Sequence, residues 1–177
     1  MARVQLIQPE AASTEVQHIY EHRLRGKPGN SQKAMAHLPD TLTAFLAFYS
    51  TVGRSLDRRL YELVYIRISM INGCDYCLQH HLAGSRRAGL TPEDWRQLRN
   101  PASSTFTDKE KAALVFTEKL TRTPSAIEEA DFVPLRQHGF TDPQIVDLHL
   151  LTGLANLTNR FTGPLGLELE MPAETIP

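Results

Sequence analysis

Apolar positions along the chain recur at helical spacing, and no run alternates as a half-buried strand would. The one β-branched cluster, residues 64–71, is itself apolar at intervals of three and four. Residues 14–25 read as a first helix, stopped by Gly26 with Pro28 beyond. A short helix over 32–37 follows and is broken by Pro39. Asp40 is the expected cap of a helix over 41–52, with Leu42, Phe45, Leu46 and Tyr49 on one face and Gly53 closing it. Ser55 is expected to cap the next helix, 56–70, whose Leu60, Leu63, Val64 and Ile68 mark a buried face. Asn72-Gly73 signals a turn; the helix after it runs to Ala88 and stops at Gly89. Thr91-Pro92-Glu93-Asp94 is a helix start: a cap, a proline at the first position, then two acids at the positive end of the dipole. Thr107 with Glu110, and Thr141 with Gln144, form capping boxes for helices reaching about Leu120 and Phe161. Between these two, residues 126–138 read as a helix disturbed at Pro134 and ended by Gly139. The loops are short, so the pattern predicts an all-α fold: one domain over 1–177, with its core in 40–165, built as a compact bundle of about six to eight helices.

Length supports the same picture, since 177 residues suffice for one core and are few for two. The formal net charge is −1, and Arg58, Arg59 and Arg67 are interleaved with Asp57 and Glu62. That balance argues against nucleic acid or an anionic membrane as partner. Gln5, Gln8 and Glu10 interrupt any apolar run in the first twelve residues, so no secretory signal is expected. The longest apolar stretch, 60–71, holds Glu62 and Arg67 and falls well short of a membrane span of about 20 residues. The expected location is cytoplasmic.

The two cysteines, Cys74 and Cys77, stand three apart. In a reducing compartment such a pair points to redox chemistry or a metal. On a helix the spacing puts both sulfurs on one face, where a disulfide closes with little backbone movement. The Asn72-Gly73 turn places Cys74 at a helix start, where unpaired N–H groups and the dipole favour a thiolate. His81 lies four residues after Cys77 and seven after Cys74, on the same face, and is suited to proton transfer near neutral pH. Counting back from the turn along the preceding helix reaches Glu62 at a height similar to His81, so its carboxylate is expected to meet the imidazole directly or through one water. A zinc site is the main rival: Cys74, Cys77, His81 and either Glu62 or His80 supply ligand types, but no distant second ligand pair exists. Covalent haem is disfavoured because Leu78, not histidine, follows Cys77. Two inert core cysteines are the plain alternative.

Glu62, eleven residues, Cys74-x-x-Cys77, three residues, His81: this pattern resembles the alkylhydroperoxidase D-like (AhpD-like) branch of the carboxymuconolactone decarboxylase superfamily, peroxidase-related type. Asn72-Gly73 before the pair, Ala83-Gly84 and Ala88-Gly89 after it, and Asn159-Arg160 near the end extend the likeness from about residue 40 onward. The resemblance implies an all-helical fold and a thiol-dependent peroxidase. In that scheme Cys77 attacks the peroxide, Cys74 resolves the sulfenic acid to a disulfide, and Glu62 with His81 relays protons. It implies no cofactor and no metal. A thiol or dihydrolipoyl protein would return the electrons, and the chain would form a homo-oligomer, a trimer or hexamer. The apolar side chains offered for such contacts are Phe45, Phe48 and Tyr49, or the Leu165, Leu167, Leu169 tail, although core packing is the plainer role for the aromatics. Tyr76 departs from well-studied members, which carry histidine at that position, and is a candidate for a weaker relay. Other chemistries on the same fold are a decarboxylase or lactone-processing enzyme, whose members generally lack the cysteine pair, and a non-enzymatic redox or zinc sensor.

Overall fold

The computed structural model of the chain describes residues 1–176; Pro177, the last residue of the expected domain, lies outside them. Nine α-helices and no strand are found among the described residues. They are α1 (Thr14–Leu24), α2 (Asn30–Met35), α3 (Pro39–Tyr49), α4 (Arg58–Asn72), α5 (Asp75–Ser85), α6 (Pro92–Gln97), α7 (Asp108–Arg122), α8 (Glu129–Gln137) and α9 (Asp142–Thr162). The all-α class is as expected. The count is nine because every helical stretch of the pattern forms a helix of its own, the six-residue α2 and α6 included.

Most helices begin where the sequence places a cap. Thr91 and Thr107 accept hydrogen bonds from Asp94 N and Glu110 N, and the side chains of Asp94 and Glu110 bond back to the cap N–H groups. Three starts differ. Pro39 opens α3 instead of breaking the chain, and Asp40 lies in its first turn rather than capping it. Asp57, not Ser55, caps α4 by accepting from Leu60 N at 2.8 Å. Ser55 is taken by Asp147, which accepts from its N–H and its hydroxyl, each at 2.8 Å. Residues 124–126 form a 3₁₀ turn, so α8 starts later than the pattern implies.

Helix α4 runs through the middle of the molecule, packed against α5, α7 and α9. Residues 60–66 of α4 are buried without interruption, so it is enclosed all round and not on one stripe. Fully burying Leu63, Val64 and Ile66 stabilises the fold by roughly 1.5–3 kcal/mol each. The same enclosure carries Glu62 into the interior. At the end of α4, Gly73 adopts φ +64°, which a side chain would disfavour, and the chain reverses. Cys74 N then donates to Ser69 O at 3.0 Å, and α5 folds back along α4. Trp95 of α6 is fully buried and donates from Nε1 to Ser85 Oγ at 3.0 Å, tying α6 to the end of α5.

The tail after α9 returns across the molecule. Leu167 is buried, and Leu165 and Leu169 pack against the core. Glu174 pairs with Arg86 at 2.7 Å. Among the described residues no helix is long and apolar enough to cross a membrane.

Candidate active site

Four expected residues meet where α4 and α5 lie side by side. Cys74 is the N-cap of α5, and its sulfur accepts from Cys77 N at 3.4 Å. Both thiols are free and buried. The two sulfurs share one partner, the Thr162 hydroxyl on the last turn of α9, at 3.2 Å from Cys74 Sγ and 3.0 Å from Cys77 Sγ. The same hydroxyl lies 2.9 Å from Thr158 O, a competing acceptor for its one proton when Cys74 is a thiol. His81 Nδ1 lies 2.7 Å from Glu62 Oε2, the direct contact the helical-hairpin argument predicts. Arg58 stands 2.5 Å from Glu62 Oε1 as an ion-pair partner one turn back. That contact lacks hydrogen-bond geometry, and Glu62 Oε1 is buried with no hydrogen-bond partner.

Three groups were not foreseen. Thr162 is one. The Tyr65 ring stacks on His81, with centroids 3.5 Å apart and planes 15° from parallel, and its hydroxyl is 2.5 Å from Thr158 Oγ1. Asn159 accepts from Asn72 at 2.9 Å and donates to Ser69 at 3.1 Å, fastening the turn beneath the cysteines to α9. Thr158, Asn159 and Thr162 form a polar strip on an otherwise apolar helix face, which is the signal the sequence offered.

Tyr76 is not brought to the Glu62–His81 pair. Its hydroxyl accepts from Ser31 N at 3.1 Å and donates to Glu170 Oε1 at 2.8 Å. Glu170, from the tail, also contacts His80 Nε2 at 3.0 Å and accepts from Asn30 N. Tyr76 thus holds the tail and α2 together beside the site. Among the described residues no group of three or more His, Cys, Asp or Glu is arranged to hold a metal ion.

Cys77, His81, Tyr65, Thr158 and Thr162 line one cavity of about 150 Å³. Leu42, Phe45, Leu46, Tyr49 and Phe161 supply its apolar wall. An apolar cavity of about this size holds a molecule such as benzene.

Protonation follows from these contacts. Burial holds the His81 imidazole below its usual value, against the pull of Glu62. At neutral pH the ring is therefore neutral, with Nδ1–H donating to the carboxylate and a lone pair on Nε2 to accept a proton. Cys74 is lowered to about 6, first because the Cys77 thiol donates to it, then through the Thr162 hydroxyl and Cys77 N–H, with burial opposing. Cys77 is pushed up, because its thiol gives that hydrogen bond and because it is buried. Thiolate absorbance should therefore rise as pH increases through about 6, and falling pH should remove it. Cys74→Ser should abolish the transition, and Thr162→Val should move it upward. A wild-type midpoint near the ordinary thiol value would refute this picture of the pair.

The carboxymuconolactone decarboxylase family model matches residues 39–119, which span the cavity wall of α3, the Glu62 helix and the cysteine helix. The Bacillus subtilis (strain 168) protein YdfG, itself uncharacterized, is 32% identical over 119 residues, covering 63% of this chain and 77% of YdfG. This chain belongs to the carboxymuconolactone decarboxylase superfamily, in its AhpD-like branch. A peroxidase-related protein of the alkylhydroperoxidase AhpD core from Ralstonia eutropha JMP134 superposes with TM-score 0.82 at 27% identity, covering 94% of this chain and 91% of its own. A debrominase, Bmp8, in complex with 2,3,4-tribromopyrrole superposes with TM-score 0.76 at 19% identity, covering 94% of this chain and 91% of its own. That second likeness, at 19% identity, is one of fold alone.

Proposed function

We propose that this AhpD-like protein is a thiol-dependent peroxidase acting on small organic hydroperoxides. The observation that carries the reading is a single cavity wall holding both Cys77 and His81, with Cys74 and Glu62 directly behind them. Cys74 Sγ accepts the proton of the Cys77 thiol, and the Cys77 thiolate attacks the terminal peroxide oxygen. The O–O bond breaks, and the departing alkoxide takes a proton that reaches it from solvent through His81 Nε2, whose transient imidazolium form Glu62 stabilises. Cys77 becomes a sulfenic acid, Cys74 attacks it, water leaves, and a disulfide remains. Two thiols and one hydroperoxide thus become a disulfide, an alcohol and water. The apolar wall favours a hydroperoxide carrying a small apolar group over hydrogen peroxide.

The electron donor in this reading is a thiol or dihydrolipoyl protein, and the protein works in the cytoplasm as a homo-oligomer. Apolar side chains free to form such contacts include Phe48 of α3 and Val146, Leu150 and Leu157 on one face of α9, each more than two-fifths exposed. The α3 residues Phe45 and Tyr49 line the cavity instead, and the tail leucines pack on the core.

Intact-mass spectrometry of the reduced protein before and after one equivalent of cumene hydroperoxide tests the chemistry. The expected result is loss of about two mass units, as one intramolecular disulfide, within seconds. An unchanged mass, or oxygen added without cross-linking, would count against the reading.

A further inference from the structure

Cys77 lines the apolar cavity and Cys74 does not. Cys74 instead lines a second, polar cleft on another side of the pair, with Asn72, Gly73, Asn159, Arg160 and Gly163. Gly163 has φ −60° and ψ −58°, a helical conformation open to any residue. Its missing side chain is therefore not required by backbone dihedrals. A Cβ there would lie 3.8 Å from Cys74 Sγ and 3.0 Å from Asn159 O. Cys74 is 2% exposed, and glycine at this position adds no side chain against its sulfur on the cleft side. At the rim, the exposed Arg160 guanidinium is held by Asn156 Oδ1 at 2.5 Å and Asn156 O at 3.2 Å, and its charge favours an incoming thiolate.

Thiol–disulfide exchange runs with the attacking, central and leaving sulfurs close to a line. A nucleophile that displaces Cys77 from Cys74 must come from the side of Cys74 away from Cys77. The polar cleft opens to Cys74, whereas the apolar cavity leads to Cys77.

We propose that the two sulfurs are served from different faces: hydroperoxide reaches Cys77 through the apolar cavity, and a slender dithiol donor attacks Cys74 through the cleft between Gly163 and Arg160. The proposal rests on the redox reading of the cysteine pair. The donor thiolate bonds to Cys74 Sγ, the Cys74–Cys77 bond breaks, and Cys77 leaves as a thiolate that takes the proton the donor gave up. The second donor thiol, deprotonated in turn, attacks the donor sulfur of the mixed disulfide. Cys74 then leaves as a thiolate, and the donor departs as its own disulfide, having supplied two electrons.

The test begins with protein oxidised by diamide, so that the disulfide does not depend on peroxide turnover. Glutathione is added, remaining thiols are trapped with N-ethylmaleimide, and fragmentation mass spectrometry locates each adduct. Glutathione on Cys74 with N-ethylmaleimide on Cys77 is the expected result, and the reverse placement would overturn the proposal. In a second arm, dithiothreitol should reduce oxidised Gly163→Val at least tenfold more slowly than wild type, while cumene hydroperoxide oxidation slows far less. Equal reduction rates would also overturn it. Should Gly163→Val fail to fold, the adduct map on the wild-type chain decides alone. Correct mapping together with no oxidation by peroxide would leave the donor's attack on Cys74 standing and sink the peroxidase reading with the hydroperoxide face.

Discussion

Cys77→Ser is expected to lower hydroperoxide consumption by on the order of a thousandfold or more, because removing a nucleophile removes the covalent step itself. Cys74→Ser should behave differently. It keeps the sulfur that faces the cavity, so one equivalent of hydroperoxide should be consumed and a sulfenic acid should accumulate on Cys77, trappable with dimedone. Two physical arguments compete here. Acidity points to Cys74, which is lowered to about 6, while position points to Cys77, which lines the cavity. Position should win, since a thiolate that cannot reach the peroxide oxygen does not react. The thiolate of higher pKa is also the stronger intrinsic nucleophile once its proton has gone. The low value of Cys74 then has a use: its thiolate stands ready to take the Cys77 proton. If dimedone instead labels Cys74 in the Cys77→Ser protein after peroxide, acidity has won and the roles are exchanged.

How much of this was legible in the sequence depended on how locally each feature is determined. The caps at Thr91 and Thr107 and the reversal at Asn72-Gly73 are settled within a few residues, and they stand where the pattern put them. Ser55 looked equally good as a cap and is not one, because Asp147, 92 residues further on, takes both its N–H and its hydroxyl. Asp57, two residues later, caps α4 instead. The Glu62–His81 contact was legible because only one turn separates its two helices, so counting along each side gives the height. Thr162 and Tyr65 were not. Thr162, and the hydroxyl contact of Tyr65, join the site only once α9 docks on α4 and α5, and helical spacing alone does not say which face of a 21-residue helix will do so. Tyr76 shows the same limit. The family resemblance offered it as a weaker proton relay, whereas Glu170, 94 residues away, accepts from its hydroxyl.

Glu62→Gln should cost activity far more than stability. Glu62 is fully buried on the central helix, and one of its carboxylate oxygens lacks a hydrogen bond. Burying a carboxylate is expensive even when it is paired, and the Arg58 side chain facing it is 65% exposed, so solvent weakens that pairing. For folding alone, an uncharged group of the same shape serves as well or better, and melting temperature should hold or rise. Activity asks for something else. The carboxylate fixes the proton on Nδ1 of His81, leaving Nε2 free to accept one, and it stabilises the imidazolium as the alkoxide leaves. An amide supplies no charge, and its NH₂ can turn toward Nδ1 and select the wrong tautomer. Peroxide oxidation of the thiols should fall about 10²–10³-fold, less than the about 10⁴-fold loss when the carboxylate that orients the histidine of a serine-protease triad becomes an amide. A variant that is both less stable and fully active would assign Glu62 to the fold and leave His81 without its orienting partner in the chemistry.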